Sequence, residues 1–148
     1  MEISESGLAF LRLWESFRPC PERDEFGRLL IGYGHRVRDG EHWAEITEAQ
    51  ADAVLRVDLG AVVRALAVTV PGPFAPHEID ALCSLAFEVG AGALVGSALV
   101  RHFSQGSRRA AADEFLTFGH PAQGRYRRIA ERALFLGATL QIGEIGQV

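Results

Sequence analysis

Apolar positions recur along this chain at two different periods, and the change of period divides it into elements. Leu8, Leu11 and Trp14, with Phe10, Leu13 and Phe17, fall at three- and four-residue spacing behind Ser4, a residue suited to cap a helix. The spacing predicts a first helix running toward Pro19. From there to about Val37 helical spacing is lost. Pro19 and Pro21 lead into Asp24-Glu25-Phe26-Gly27, a turn sequence, and Leu29-Leu30-Ile31 follows, bounded by Gly32 and Gly34. This stretch predicts a short β-hairpin pinned by glycine. Thr47-Glu48-Ala49-Gln50 reads as a capping box, after which Ala51, Val54, Leu55, Leu59, Val62, Val63 and Leu66 hold one face of a long helix ending before Pro71. A further helix opens at Pro76, carries Ile79, Leu82, Leu85 and Ala86, and stops at Gly90. Shorter helices are expected behind Ser97 and Ser107, and a last one from about Ala122 to Leu136 with Gly137 beyond it. The whole predicts a mostly α fold with one small β insertion near the N-terminus.

Composition narrows the class. With 148 residues, 48% hydrophobic and 23% charged, the chain describes one globular domain with a core of its own. Cys20 and Cys83 sit in no CxxC or zinc-ligand pattern, so both are read as free, buried thiols, and no metal is implied. No stretch is apolar for long enough to span a membrane, and Met1-Glu2-Ile3-Ser4-Glu5 is acidic where a signal peptide is basic. Synthesis in a cytoplasm is therefore expected. Net charge is −4, but residues 101–132 carry Arg101, Arg108, Arg109, Arg125, Arg127, Arg128 and Arg132 against Asp113, Glu114 and Glu131. No nucleic-acid recognition motif accompanies that basic third, so it points instead to internal ion pairs or to a different anionic polymer.

Two carboxylates stand out by position. Glu15 closes the apolar first helix between Trp14 and Phe17, where bulky rings would favour the protonated form that a general acid needs. Asp24 lies nine residues on, in a polar turn that would keep it ionised. Glycoside hydrolysis calls for such a contrasted pair, one group to protonate the leaving oxygen and one to activate water.

The surrounding words carry a resemblance. Trp14-Glu15-Ser16-Phe17-Arg18, Asp24-Glu25-Phe26-Gly27 and Ile31-Gly32-Tyr33-Gly34-His35 together resemble the N-terminal signature of phage-type lysozymes, glycoside hydrolase family 24. Ile46 to Ala51 is similar to the start of that family's long helix, Asp80 to Gly90 to its central helix, and Arg127 to Arg132 to its closing helix. The resemblance implies an α+β, mostly α, two-lobed lysozyme-like fold. Its small lobe would span about 15–46, its joining helix about 47–67, and its helical lobe about 68–148 plus the first helix. It also implies a muramidase needing no cofactor, acting as a monomer on bacterial peptidoglycan. Such an enzyme would reach the wall after release through a holin-type pore, by lysis or by tail delivery.

Carried over by position, Glu15 matches the general acid and Asp24 the group that handles the attacking water, with the carboxyls facing one another at roughly 6.5–9.5 Å. Leu30, six residues beyond Asp24, stands where the family has a threonine whose hydroxyl holds that water. A leucine offers neither donor nor acceptor, and losing one preorganised contact of that kind costs on the order of 3 kcal/mol, about a hundredfold in rate. Ser16, Glu22, Glu88 and Phe118 also depart from the family's usual Gly, Tyr, Asn and Trp. Tyr33, His35, Glu88 and Phe118 are the expected substrate-binding positions; Glu25, Tyr33 and His35 are candidates to replace the missing hydroxyl. His35 equally fits a structural histidine tying the small lobe to the Glu15 helix, and Glu88 a salt-bridged surface group. Two readings stay open at this point: a muramidase of weakened activity, and a lysozyme-like scaffold that binds wall or protein without cutting.

Overall fold

In a computed structural model of the chain, which describes residues 2–119 and 124–138, six α-helices accompany a small antiparallel sheet that packs against one of them. Helix α1 (Glu5–Trp14) is capped by Ser4, whose hydroxyl accepts from the Gly7 amide. Asp80 of α3 (Pro76–Val89) accepts in turn from the Ser4 amide at 2.8 Å and its hydroxyl at 2.5 Å, so the first turn of α1 is tied to α3. A side chain at Gly7 would collide with that carboxylate. Helix α1 ends earlier than its apolar pattern predicts: Glu15 turns extended at ψ 114° and the chain is captured by the sheet from Arg18 onward. Leu13, one of the expected core positions, is 44% exposed.

Strands β1 (Arg18–Arg23), β2 (Leu29–Gly32) and β3 (His35–Arg36) form the sheet in that order. Strand β1 contains both prolines. It is an edge strand with an irregularity between Arg18 and Glu22, so neither missing N–H leaves a hole in the ladder. Gly32 at φ 59° and Gly34 at φ 83° make the tight β2–β3 turn in the left-handed region where a side chain is strained. Helix α2 (Glu48–Thr69) starts at the expected Thr47 capping box and buries Ala51, Leu55, Leu59 and Leu66. It contacts β2 and β3 near its start and α3 further along, thereby joining the sheet to the helices.

The remaining helices close over α3. Helix α4 (Ala98–Ser104) is capped by Ser97, whereas Ser107 makes no capping bond to α5 (Arg108–Glu114). Helix α6 (Arg125–Phe135) packs on α3, and the start expected for it at Ala122 lies outside the described residues. Gly137, at φ 78°, follows it in the role expected. Phe103, Phe115 and Phe135 pack with Leu82, Leu85 and Leu99 in the core. The architecture is α+β and mostly α. Among the cysteines, Cys83 is buried, its thiol pushed up to about 12 by burial and the nearby Asp80, but Cys20 is exposed. The reading of both thiols as buried fails because edge strand β1 turns the Cys20 side out. No helix is long and apolar enough to cross a membrane, and no cluster of metal-binding side chains occurs among the described residues.

Candidate active site

Glu15 stands at the end of α1, where the helix gives way to the sheet. Its Oε1 accepts a hydrogen bond from Arg127 Nη1 of α6 at 2.8 Å, and its side chain is 19% exposed. The other oxygen, Oε2, lies over the Gly34 backbone, where a Cβ would sit 3.2 Å from it. Only glycine leaves that approach open. A guanidinium, not the expected aromatic rings, is therefore the main neighbour of this carboxyl.

Arg127 does more than meet Glu15. Nε lies 3.1 Å from Glu131 Oε1 and 3.3 Å from Glu88 Oε2, and Nη2 reaches the carbonyl and hydroxyl of Ser84. Burial works against its charge, but the carboxylates of Glu15, Glu131 and Glu88 outweigh that cost and raise its pKa. Arg128 pairs with Glu88 at 2.6 Å and with Glu131. Glu88 is thus salt-bridged at the rim of this cluster. Phe118 lines a pocket of about 450 Å³ with Leu116, Ile129, Arg125 and Arg128.

Asp24 sits in a different setting. Oδ1 accepts from the amides of Phe26 and Arg28 at 2.9 and 2.8 Å, and Oδ2 accepts from Arg28 Nε at 2.6 Å. Desolvation raises the Asp24 pKa, but these bonds together outweigh it and hold the carboxyl below the usual aspartate range, so the group is ionised as the turn sequence predicts. Every partner lies within four residues.

Sheet register decides where Leu30 points. Leu30 pairs with Glu22 on one side and Arg36 on the other, whereas Ile31 pairs with His35. Side chains alternate across a strand, so Glu22, Leu30 and Arg36 share one face of the sheet and Ile31 and His35 share the other. Ile31 and His35 are buried at 0% and 6% exposure, on strands that contact α2. His35 accordingly bonds Asp58 of α2 through Nδ1 at 2.7 Å and Glu41 through Nε2 at 3.0 Å. It ties the sheet to α2 and not to the Glu15 helix, and with both nitrogens engaged on the far face it cannot stand in for the hydroxyl absent at Leu30. Although burial opposes its charge, Glu41 and Asp58 raise the His35 pKa. Tyr33 is buried against Phe17, with ring centroids 5.6 Å apart, and its hydroxyl senses Glu48 and Asp52 of α2. It too faces the α2 side. Glu25 is exposed in the hairpin turn. Of the polar residues near Leu30, Glu22 shares its face, 3.8 Å from Arg18.

The structure thus unites Glu15 with Glu88, leaves Asp24 in its own turn, and directs Tyr33 and His35 to α2. Sequence reasoning missed Ser84, Glu131, Asp58 and Glu41. Glu131 at i+4 from Arg127, opposite Ser84 and Glu88 at i and i+4 of another helix, was the legible signal for the buried cluster.

The arrangement has known counterparts. The phage lysozyme family profile matches residues 12–132. The chain belongs to the phage lysozyme family. Similar relatives are the endolysin of Salmonella phage P22, 35% identical over 92% of this chain and 99% of its own, and the endolysin of Acyrthosiphon pisum secondary endosymbiont phage 1, 34% identical over 93% and 100%. A mutant of P22 lysozyme superposes with a TM-score of 0.83 at 35% identity, covering 92% of this chain and 99% of that one. The muramidase domain of SpmX from Asticaccaulis excentricus gives 0.80 at 30% identity, covering 91% and 97%. Members of the phage lysozyme family share the mostly α architecture described above, and the Glu15 word lies inside the matched region.

Proposed function

We propose that this protein is a glycoside hydrolase, a peptidoglycan N-acetylmuramidase of the endolysin type. It hydrolyses the β-1,4 bond between N-acetylmuramic acid and N-acetylglucosamine in bacterial cell walls. The observation that carries the reading is Glu15, held at the helix–sheet junction by Arg127 and laid over Gly34, in a chain of the phage lysozyme family. Because Arg127 engages Oε1, Oε2 remains to carry the proton that the leaving glycosidic oxygen takes up.

In this proposal Asp24 is the second group. Water attacks the anomeric carbon of the muramic acid residue as Asp24 draws away its proton. The glycosidic C–O bond breaks, and the Glu15 proton passes to the departing oxygen of N-acetylglucosamine. Inversion follows from in-line attack across a gap of roughly 6.5–9.5 Å between the carboxyls. The fixed ionisation of Asp24 supports the role. The cleft would lie between a small lobe of about 15–46 and a helical lobe joined to it by α2, with Glu88 and Phe118 on the substrate-facing side. Leu30 deprives the water of a hydroxyl partner, so turnover is slow relative to a site that has one. No organic cofactor or metal takes part. Action on the wall follows passage through a holin-type pore, lysis or tail delivery, and the protein works as a monomer.

The test is digestion of isolated Gram-negative sacculi followed by mass spectrometry of the released fragments, with Glu15→Gln as control. Reducing-end muramic acid products that vanish in the control are expected. Anhydro-muramic ends would mean a lytic transglycosylase, and sacculus binding without fragments would mean a scaffold that holds the wall without cutting it.

A further inference from the structure

Behind the Glu15 carboxyl lies a set of charges, most of which the proposed reaction does not use. Three carboxylates, Glu15, Glu88 and Glu131, meet two guanidiniums, Arg127 and Arg128. Glu131 is at its centre and is 0% exposed. Its Oε1 accepts from Ser84 Oγ at 2.6 Å, Arg128 Nη2 at 2.9 Å and Arg127 Nε at 3.1 Å. Its Oε2 lies 2.8 Å from Arg128 Nε but out of line with that N–H, so neither atom completes a hydrogen bond.

Charge counting makes the cluster distinctive. Fully ionised, three carboxylates and two guanidiniums carry a net charge of −1, with Glu131, Arg127 and Arg128 buried and Glu88 open to solvent at the rim. One proton makes the set neutral, and burial favours neutrality. A general acid must begin its cycle carrying a proton. We infer that Glu131 is a positioning residue for the muramidase reaction: by sharing Arg127 with Glu15, it keeps the guanidinium from holding Glu15 permanently ionised and leaves the cluster's proton available to the acid. The inference rests on the muramidase reading above.

The groups that face Glu131 are known from each packed element. Helix α1 brings Glu15 through Arg127, and α3 brings Ser84 and Glu88. Cys83 of α3 is held as a thiol, its pKa raised to about 12. Helix α6 supplies Arg127 and Arg128, while Asp113 of α5 is engaged with Arg132 at 2.6 Å. Desolvation pushes Glu131 up to about 7 against the pull of both arginines.

The experiment compares the pH–rate profile on sacculi of the full chain with that of Glu131→Gln, with Asp113→Asn as a control outside the cluster. Removing a negative charge next to Arg127 strengthens its hold on ionised Glu15. The alkaline limb should therefore move to lower pH by about one unit, with kcat at neutral pH falling about tenfold and KM nearly unchanged. Glu131→Asp should return the limb toward the parent profile, and Asp113→Asn should leave it alone. A folded Glu131→Gln protein whose profile superposes on the parent's, or whose KM alone changes, overturns the inference. Carbon-13 NMR titration of the glutamate side chains in the unsubstituted protein decides the matter independently of variant folding and of activity. Linked two-step curves for Glu15 and Glu131 support coupling. A single-step Glu15 curve indifferent to Glu131 refutes it, and absence of wall fragments from the parent would sink the muramidase reading alone.

Discussion

The two proposed catalytic carboxylates are held by opposite strategies. Glu15 binds a guanidinium 112 residues away, in a cluster that closes only when α1, α3 and α6 have packed. Asp24 binds two amides and a side chain within four residues, in an exposed turn that forms its own partners. The difference teaches that the ionisation of Asp24 is a local property of the hairpin, whereas the setting of Glu15 is a property of the whole fold. Damage to the helical core should therefore reach Glu15 and spare Asp24.

The most severe break of this contrast is at the acid itself. Glu15→Gln keeps the side-chain shape and removes the transferable proton, and fragment release from sacculi should fall by about 10³–10⁴. A loss below tenfold would remove Glu15 from the reaction. Next in size is Arg127→Met, which leaves Glu15 without its cation and Glu131 and Glu88 with Arg128 alone. Breaking a buried ion pair from one side costs about 3–5 kcal/mol, lowering Tm by about 10 °C in a domain of this length. Urea unfolding giving less than about 1 kcal/mol would show that the cluster holds water in place of the pair.

A third variant sharpens the comparison by repairing it. Leu30→Thr restores a hydroxyl on the sheet face that carries Glu22 and Arg36, and kcat should rise about a hundredfold with KM steady. An unchanged rate would show that the attacking water is held from elsewhere, with Glu22→Gln the natural follow-up. Asp24→Asn belongs beside it. The Asn oxygen can still accept from the Phe26 and Arg28 amides but loses the ion pair with Arg28, so Tm should fall by only about 1–2 °C while activity falls by about 10². A large Tm loss would mean that the turn depends on the charge.

The smallest expected effect is in pH dependence. His35 has a raised pKa in the folded state, so its bonds to Asp58 and Glu41 contribute stability fully present below about pH 6.5 and lost as pH rises through the folded value. Glu41 is lowered to about 2 by the Arg38 amide and His35, and Asp24 is lowered too, so both contribute stability that is lost as pH falls below the ordinary carboxylate range. Tm should peak in weak acid. In His35→Asn the decline on the alkaline side should flatten by a few degrees, and an unchanged alkaline slope would show that His35 is neutral throughout.

Much of this was legible from residues alone. Ser4, Thr47 and Pro76 announce three helix starts because a cap is satisfied within four residues, and Asp24-Glu25-Phe26-Gly27 announces a turn for the same reason. The resemblance of the Glu15, Asp24 and Ile31–His35 words located the family. Where the reading slipped, a tertiary partner intervened. The apolar spacing of α1 runs on past Trp14, but pairing of Arg18 with Gly32 ends the helix early. Cys20 looked like a core residue until edge strand β1 turned it outward.

Short-range chemistry was thus determined by the sequence itself: caps, turns, the ionised Asp24, and the missing hydroxyl at Leu30. What only the tertiary structure decided is which long-range groups meet. His35 went to Asp58 because β-alternation puts it on the α2 face with Ile31. Glu15 went to Arg127 because α6 packs on α3 and brings Glu88 and Glu131 with it. A hydrogen bond over four residues needs only local dihedrals, whereas a pair 112 residues apart exists only after the core has closed and excluded the water that would otherwise separate the charges.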